Sequence, residues 1–318
     1  MKKKKVFITG GAGFIGTNLL LGLEKENFKI TVYDNLSNST KKFFSILKRR
    51  DIKFIKGNIL NFKLLNKSIK GHDLIIHLSA NSQIQFGFDN PKIDFQNGTY
   101  ATFNILEAMR INNIKKIIYT SGSGVYGDRG NVLINEKFIF NPNSLYGASK
   151  SSSEHYIRSY VEMYKIRALI FRPANIVGPY MTHGVIFDLL NKLKKNQKLL
   201  KVLGNGTQLK SYMHVNDLVN LIINIIKKNN YFNYSFFKVF NISNNSYCSV
   251  KKIVNLISSL TKIKFKTSYG RLNIGWMGDV PKVKLNIKKI QNELKWLPKY
   301  NSTEAVKDAI KSLIQKRV

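Results

Sequence analysis

The 318-residue sequence holds a single cysteine, Cys248. No intramolecular disulfide can form, and a cysteine-based metal cluster is excluded. A reducing, cytoplasmic setting is expected. Histidine is also scarce, with five residues at 72, 77, 155, 183 and 214 and no HxH or HxxxH spacing. No metal site is predicted. No apolar run approaches the roughly 18–20 residues that a membrane span needs, so no membrane insertion is expected. The basic start Met1-Lys2-Lys3-Lys4-Lys5 is followed only by Val6-Phe7-Ile8 and a glycine loop. A signal peptide needs a longer apolar core, and no targeting segment is expected. Internal repeats and low-complexity linkers are absent as well.

Negative charge is in short supply. There are 18 acidic residues against 52 basic ones, a formal net charge of +34. Such a balance can mark a protein that binds nucleic acid or membrane surfaces. Only nine of the basic residues are arginine, and the lysines are spread along the whole chain rather than clustered with aromatics. Specific base recognition leans on the arginine fork. Together with the many Asn and Ile residues, this points to compositional drift. No specific nucleic-acid partner is expected.

What is present is a core and a rhythm. Hydrophobic residues make up 43 % of the chain, enough for a folded interior. Short β-branched runs at 6–9, 30–34, 52–56, 73–77, 116–120 and 167–172 alternate with helical patterns at about 14–26, 100–112 and 146–164. Strands separated by helices imply βαβ crossovers. The fold class expected is α/β, a Rossmann-type doubly wound parallel sheet with a smaller C-terminal α/β substrate-binding lobe. Helical patterns near 185–195, 215–228 and 250–260 belong to the less regular second part. The division expected is 1–175 for the dinucleotide domain and 176–318 for the lobe, some of whose segments return to the first domain.

Two motifs carry chemistry. Thr9-Gly10-Gly11-Ala12-Gly13-Phe14-Ile15-Gly16 lies between the first strand and the first helix. A tight turn, a bare backbone and a close helix–strand contact are what a dinucleotide pyrophosphate requires there. The helix N-terminus adds amides and a positive dipole end. Asp34 closes the second strand, where an acid bonds ribose hydroxyls and repels a 2′-phosphate, favouring NAD over NADP. The second motif is Tyr146-Gly147-Ala148-Ser149-Lys150. On a helix both side chains share a face. An ammonium beside a phenol favours the phenolate, which makes Tyr146 a candidate general base with a lowered pKa.

These stretches, with YDNLSNS (33–39), GNI (57–59), HLSA (77–80), VYGD (125–128), RPANIVGP (172–179), GNGTQLKSYMHVNDL (204–218), FNIS (240–243) and GDVP (278–281), give the chain a resemblance from Val6 to about Tyr300. It resembles the extended short-chain dehydrogenase/reductase superfamily, in its NAD-dependent sugar-nucleotide epimerase/dehydratase branch, and within it UDP-glucose 4-epimerase-like proteins.

The resemblance implies an NAD-dependent epimerase acting at C4 of a nucleoside-diphosphate sugar through a transient 4-keto intermediate. Other chemistries share the scaffold: C2 or C5 epimerases, decarboxylases, 4-keto reductases, and a catalytically silent NAD-binding regulator. Gly10, Gly13, Phe14 and Ile15 are implied at the pyrophosphate, and Asp34, Asn35 and Ser37 at the adenosine ribose. Asn58, where the family usually has Asp, and Ile59 flank the adenine. Leu78, Ser79, Ala80 and Pro173 line the nicotinamide side, with Lys150 on its ribose. Tyr146 is the implied base and Lys150 its tuner.

The third catalytic position departs from the pattern. The family places Ser or Thr three residues before the Val of VYG, and this chain has Gly122. Ser121 and Ser123 flank it, and either is a candidate for the missing hydroxyl. Ser123-Gly124 also stands where 4,6-dehydratases carry Asp-Glu, which weighs against elimination of water. In the substrate lobe, Asn175, Lys210 and Asp279, with Ser123 and Tyr146, are the implied contacts. Lys210 replaces a usual Arg. Trp276 stands where a second phosphate-binding Arg is expected, with Arg271 as its candidate replacement. Val283 occupies a position held by Tyr in strict hexose enzymes, which leaves room for a 2-acetamido group. Tyr126 is equally a residue near the sugar or a core residue, and His77 and His214 are expected to be structural. A homodimer is implied through helices at about 92–112 and 144–163, the second offering Tyr156, Ile157, Tyr160, Val161 and Tyr164.

Overall fold

The computed structural model describes residues 3–48, 51–228, 230–232 and 236–315. Met1 and Lys2 of the basic first run lie outside the described residues.

Among the described residues, seven strands form one parallel sheet: β1 (Lys4–Thr9), β2 (Phe28–Asp34), β3 (Ile52–Lys56), β4 (Leu74–His77), β5 (Lys116–Thr120), β6 (Arg167–Pro173) and β7 (Phe237–Ile242). Their spatial order is β7-β6-β5-β4-β1-β2-β3, and every neighbouring pair is parallel. The expected parallel sheet is therefore present, with one strand more than the sequence pattern shows. β7 comes from the second half of the chain and pairs with β6 from Phe237↔Ala168 to Ile242↔Pro173.

The interior β-branched runs are buried because helices cover both faces. The side chains alternate, as the two-residue strand period requires. Val6 and Ile8 join one core with Leu19, Leu20 and Leu23 of the helix α1 (Phe14–Gly22) and the residue that caps it. Phe7 joins a second core on the opposite face with Ile105, Leu106 and Met109 of α2 (Ala101–Ile111) and Ile157, Tyr160 and Val161 of α3 (Leu145–Tyr164). Helices α4 (Val185–Lys195), α5 (Val215–Lys228), α6 (Val250–Thr261) and α7 (Ser302–Gln315) follow. α5 packs against α1 so closely that a β-carbon on Gly22 would lie 2.7 Å from Ile223.

Local signals set the ends of these elements. Ser144 caps α3 by accepting the Gly147 N–H at 3.1 Å, which covers one of the orphan amides of the first turn. Lys165, in the left-handed region at φ 55°, ends the helix. α2 continues an earlier helical run through a π-type segment at Phe95–Tyr100. Among the described residues, four two-stranded sheets lie outside the main one, including Asn175–Val177 beside Tyr212–His214 and Leu209–Lys210 beside Cys248–Ser249. Cys248 is buried in that last strand.

Candidate active site

The strand order reverses between β1 and β4, and loops that follow both strands meet there. This crevice at the carboxyl ends is where doubly wound sheets hold ligands. Gly10, at φ 69°, lies so near the second loop that a β-carbon on it would be 2.8 Å from the Ser79 nitrogen. Gly16 has the same constraint toward the first loop, 2.5 Å from the Gly10 oxygen and the Gly11 α-carbon. Only glycine permits this close stack of turn on helix. At Gly13 the one atom near such a carbon is the Gly10 oxygen at 3.4 Å. The loop therefore presents bare backbone at the start of α1, which fits a dinucleotide pyrophosphate.

Asp34 accepts the Ala12 N–H at 3.0 Å and the Leu36 N–H at 2.8 Å. Burial raises its pKa, and the two amides act against that rise. One bond per oxygen leaves further lone pairs for ribose hydroxyls. Asn35 and Ser37 are exposed beside it, the Ser37 N–H donating to Asn35 Oδ1 at 3.0 Å. Asn58 is exposed and Ile59 is buried in the core below. Phe14 and Pro173 are buried too, while Ile15, Leu78, Ser79 and Ala80 are partly exposed.

The Tyr146–Lys150 pair sits at the start of α3. Lys150 is buried, and its ammonium donates to the Thr120 carbonyl at 2.8 Å. It lies 4.7 Å from the centroid of the Tyr119 ring and 5.7 Å from that of Tyr146. Burial pulls its pKa down to about 7, against the pull of Glu154. Tyr146 is not depressed as the motif alone predicts. Desolvation, then the Asp94 carboxylate, holds its phenol above the ordinary value. Sequence spacing conveys the lysine but neither the desolvation nor Asp94, which lies far upstream in the chain.

Asp94 is 1 % exposed; Asn81 Nδ2 donates to its Oδ1 at 2.9 Å, and its Oδ2 has no hydrogen-bond partner. Glu154 is a further site residue to which the motifs do not point, although it falls on the Tyr146–Lys150 face at the next i+4 step; its partner Arg172 opens the RPANIVGP stretch. The two candidate hydroxyls separate. Ser121 is buried and donates to Glu154 Oε1 at 2.6 Å. Ser123 is partly exposed and opens a short 3₁₀ turn over Ser123–Tyr126. Tyr126 is a core residue, its hydroxyl held by Asn241 and Arg172. His77 bridges Thr9 and Thr102, and burial with the charge of Lys150 pushes its pKa down to about 3.

On the lobe side, Lys210 and Asp279 form an ion pair. Asp279 also accepts the Gly275 N–H at 2.9 Å. Asn175 is exposed, and its backbone N–H donates to the carbonyl of Ser211, the residue after Lys210. Gly278, at φ 93°, packs under the Trp276 indole and against Asn143 and Ser144. The 276–279 loop thus rests on the cap of the helix that carries Tyr146. Arg271 is exposed.

Residues 7–309 match the family model described as GDP-mannose 4,6 dehydratase. The chain belongs to that family. A dTDP-D-glucose 4,6-dehydratase of Dictyostelium discoideum is 34 % identical over 271 residues, 80 % of this chain and 62 % of that protein. The match thus spans less than two thirds of the Dictyostelium protein's length. A protein of Methanocaldococcus jannaschii described as "Putative UDP-glucose 4-epimerase" is 29 % identical over 311 residues, 96 % of this chain and 97 % of that one. Among solved structures, a UDP-galactose 4-epimerase superposes with a TM-score of 0.87 at 29 % identity, covering 98 % and 99 % of the two chains. The sugar-nucleotide epimerase/dehydratase resemblance and the Rossmann-type fold are thereby shown. Among the described residues, no helix is long and apolar enough to cross a membrane.

Proposed function

We propose that this member of the GDP-mannose 4,6 dehydratase family is an NAD-dependent C4 epimerase of a nucleoside-diphosphate sugar, taking UDP-hexoses and UDP-N-acetylhexosamines. The observation that carries the reading is the Tyr146–Lys150 pair below the switch-point crevice, with no carboxylate anywhere in Ser121–Gly127. Elimination of water needs an acid and a base beside the sugar, and Ser123-Gly124 supplies neither. The dehydratase names of the family and of the Dictyostelium relative favour that second reading. The missing acidic pair is why it ranks lower.

Bound NAD would supply a reversible hydride acceptor for C4 of the sugar. The glycine loop from Gly10 to Ile15 would hold its pyrophosphate, and Asp34 with Asn35 and Ser37 would hold the adenosine ribose. Tyr146 accepts the proton of the sugar 4-hydroxyl and later returns it. Lys150 stays cationic during that transfer and keeps the phenolate stable. Ser123 is the assisting hydroxyl, because the Ser121 Oγ–H is already committed to Glu154. Lys210, Asp279 and Asn175 hold the nucleoside diphosphate. The protein positions the reacting atoms, and the hydride chemistry is the cofactor's.

The 1–175 and 176–318 division belongs to this reading, with β7 and α5 returning to the first domain. So does a homodimer. Ile157, Tyr160 and Val161 face the protein's own core, which removes them from the expected contact. Phe95 (59 % exposed), Tyr100 (43 %) and Tyr156 (44 %) remain outside and line a 250 Å³ hollow with Thr99 and Phe103. Exposed aromatics in one patch mark a contact surface.

The test is incubation of the purified protein with UDP-glucose, UDP-galactose and their two N-acetylhexosamine counterparts, followed by NMR. Interconversion within a pair is expected. A 4-keto-6-deoxy product from any of the four would replace the epimerase reading with the dehydratase one.

A further inference from the structure

Glu154 is 2 % exposed and Arg172 is 4 % exposed. Arg172 grips the carboxylate as a fork, Nε at 3.0 and 3.1 Å from the two oxygens and Nη2 at 2.6 Å from Oε2. Ser121 adds its hydroxyl to Oε1 at 2.6 Å. The far side of the guanidinium is fixed as well: Nη1 donates to the Tyr126 hydroxyl at 2.6 Å and to the Glu136 carbonyl at 3.1 Å. Tyr126 in turn donates to Asn241 Oδ1 at 2.7 Å. A buried ion pair is weak evidence of stabilisation, since desolvation offsets much of the attraction. Its placement suggests another use. Tyr146, Lys150 and Glu154 follow one another at i, i+4 and i+8 along α3.

We propose that Glu154, clamped by Arg172 and Ser121, is a positioning residue that keeps the proton of the Tyr146–Lys150 pair on Lys150. This rests on the reading of Tyr146 as the base. The pair shares one proton and has two arrangements, phenolate with ammonium or phenol with amine. Only the first can accept a proton from a sugar hydroxyl. Burial disfavours it, because it separates charge in a low-dielectric site. The groups facing Lys150 are the Thr120 carbonyl and the Tyr119 ring from β5, neutral His77 from β4, and Tyr146 and Glu154 from its own helix. Glu154 is the anion among them. Asp94 acts on the other partner and opposes the phenolate. Glu154 therefore biases where the proton rests, while Arg172 fixes the carboxylate in place and offsets part of its charge.

The test uses Glu154→Gln and the milder Glu154→Asp, with Tyr146→Phe in each background. Difference ultraviolet absorption, each protein minus its Tyr146→Phe counterpart, reads the phenolate against pH. The expected result is a Tyr146 midpoint raised by about one unit or more in Glu154→Gln, that is about tenfold less phenolate at a given pH. A smaller rise is expected in Glu154→Asp, which keeps the charge. The acid limb of the kcat profile moves in parallel, and KM for the sugar nucleotide changes less than about twofold. If Glu154→Gln does not fold, Glu154→Asp alone decides by the same midpoint. An unmoved midpoint in a cooperatively folded variant overturns the proposal. Full activity in Tyr146→Phe overturns the underlying base reading instead, whatever Glu154 does.

Discussion

The Lys210 ammonium and the Asp279 carboxylate, 69 positions apart in the chain, form an ion pair. Both are implied substrate contacts, so the diphosphate meets a lysine that already has a partner. Asp279 keeps its second oxygen on the Gly275 amide, which fixes the loop. Lys210→Met is expected to raise KM for the sugar nucleotide about 10- to 100-fold, the value of one charge-assisted hydrogen bond. kcat should change little. A KM within about twofold of the parent protein would remove Lys210 from the site.

The two serines give opposite expectations. Ser123→Ala should lower kcat by on the order of 10²-fold, the contribution of a positioned proton-transfer group. Its melting temperature should hardly move. Ser121→Ala should leave kcat within a few-fold and cost about 1–3 kcal/mol of stability, since Glu154 loses a buried donor. Gly122 has extended backbone at φ −174°, and no atom lies within 4 Å of a β-carbon placed there. Gly122→Ser should therefore fold normally, and in the Ser123→Ala background it should recover part of the lost rate. Steady-state kinetics and thermal melts of these variants check this.

His77 predicts a pH dependence of stability. Its pKa is pushed down to about 3 in the folded protein, first by burial and then by Lys150. Unfolded histidine titrates near about 6.5. Between those values the unfolded chain binds the extra proton, so stability present above about pH 6.5 is lost as pH falls toward about 3. His77→Gln keeps polar contact with Thr9 and Thr102 and removes that titration. Its stability, measured by denaturant unfolding, should fall less steeply below about pH 6.5. Parallel curves for the two proteins would contradict the assignment.

Val283 is partly buried against the Val125, Tyr126 and Leu285 cluster, beside the short turn that Ser123 opens. Val283→Tyr should reduce kcat/KM for N-acetylhexosamine nucleotides by about tenfold or more and spare the plain hexoses. Equal loss on both classes would show damage to packing rather than a filled 2-acetamido space.

The exposed aromatic patch predicts a dimeric mass in solution. Tyr156 meets Phe103 edge-on at 6.0 Å, and Phe103 stacks on Tyr100 at 6.1 Å. A charge in this patch, Tyr156→Glu, should yield a monomer by light scattering without loss of the fold. A monomeric parent protein would refute the dimer.

Much of this protein was readable from its sequence. Strand runs such as Val6-Phe7-Ile8 and Ile117-Ile118 are apolar on both faces, as a covered parallel sheet requires. The glycines at 10, 13 and 16 and the pair Tyr146–Lys150 are local patterns, fixed by turn sterics and helical spacing, and they emerged where expected. Tertiary structure decided what depends on dielectric and on distant partners. It added β7 to the sheet edge, since a two-residue alternation does not say which strand is its neighbour. It turned Ile157, Tyr160 and Val161 inward and left Tyr156 outside. It raised the Tyr146 phenol rather than lowering it, because desolvation is a property of the surroundings and not of the motif. It also committed Ser121 to Glu154, leaving Ser123 as the candidate hydroxyl. Sequence spacing sets which groups share a face, whereas burial and the company of Asp94, Glu154 and Arg172 set their charge.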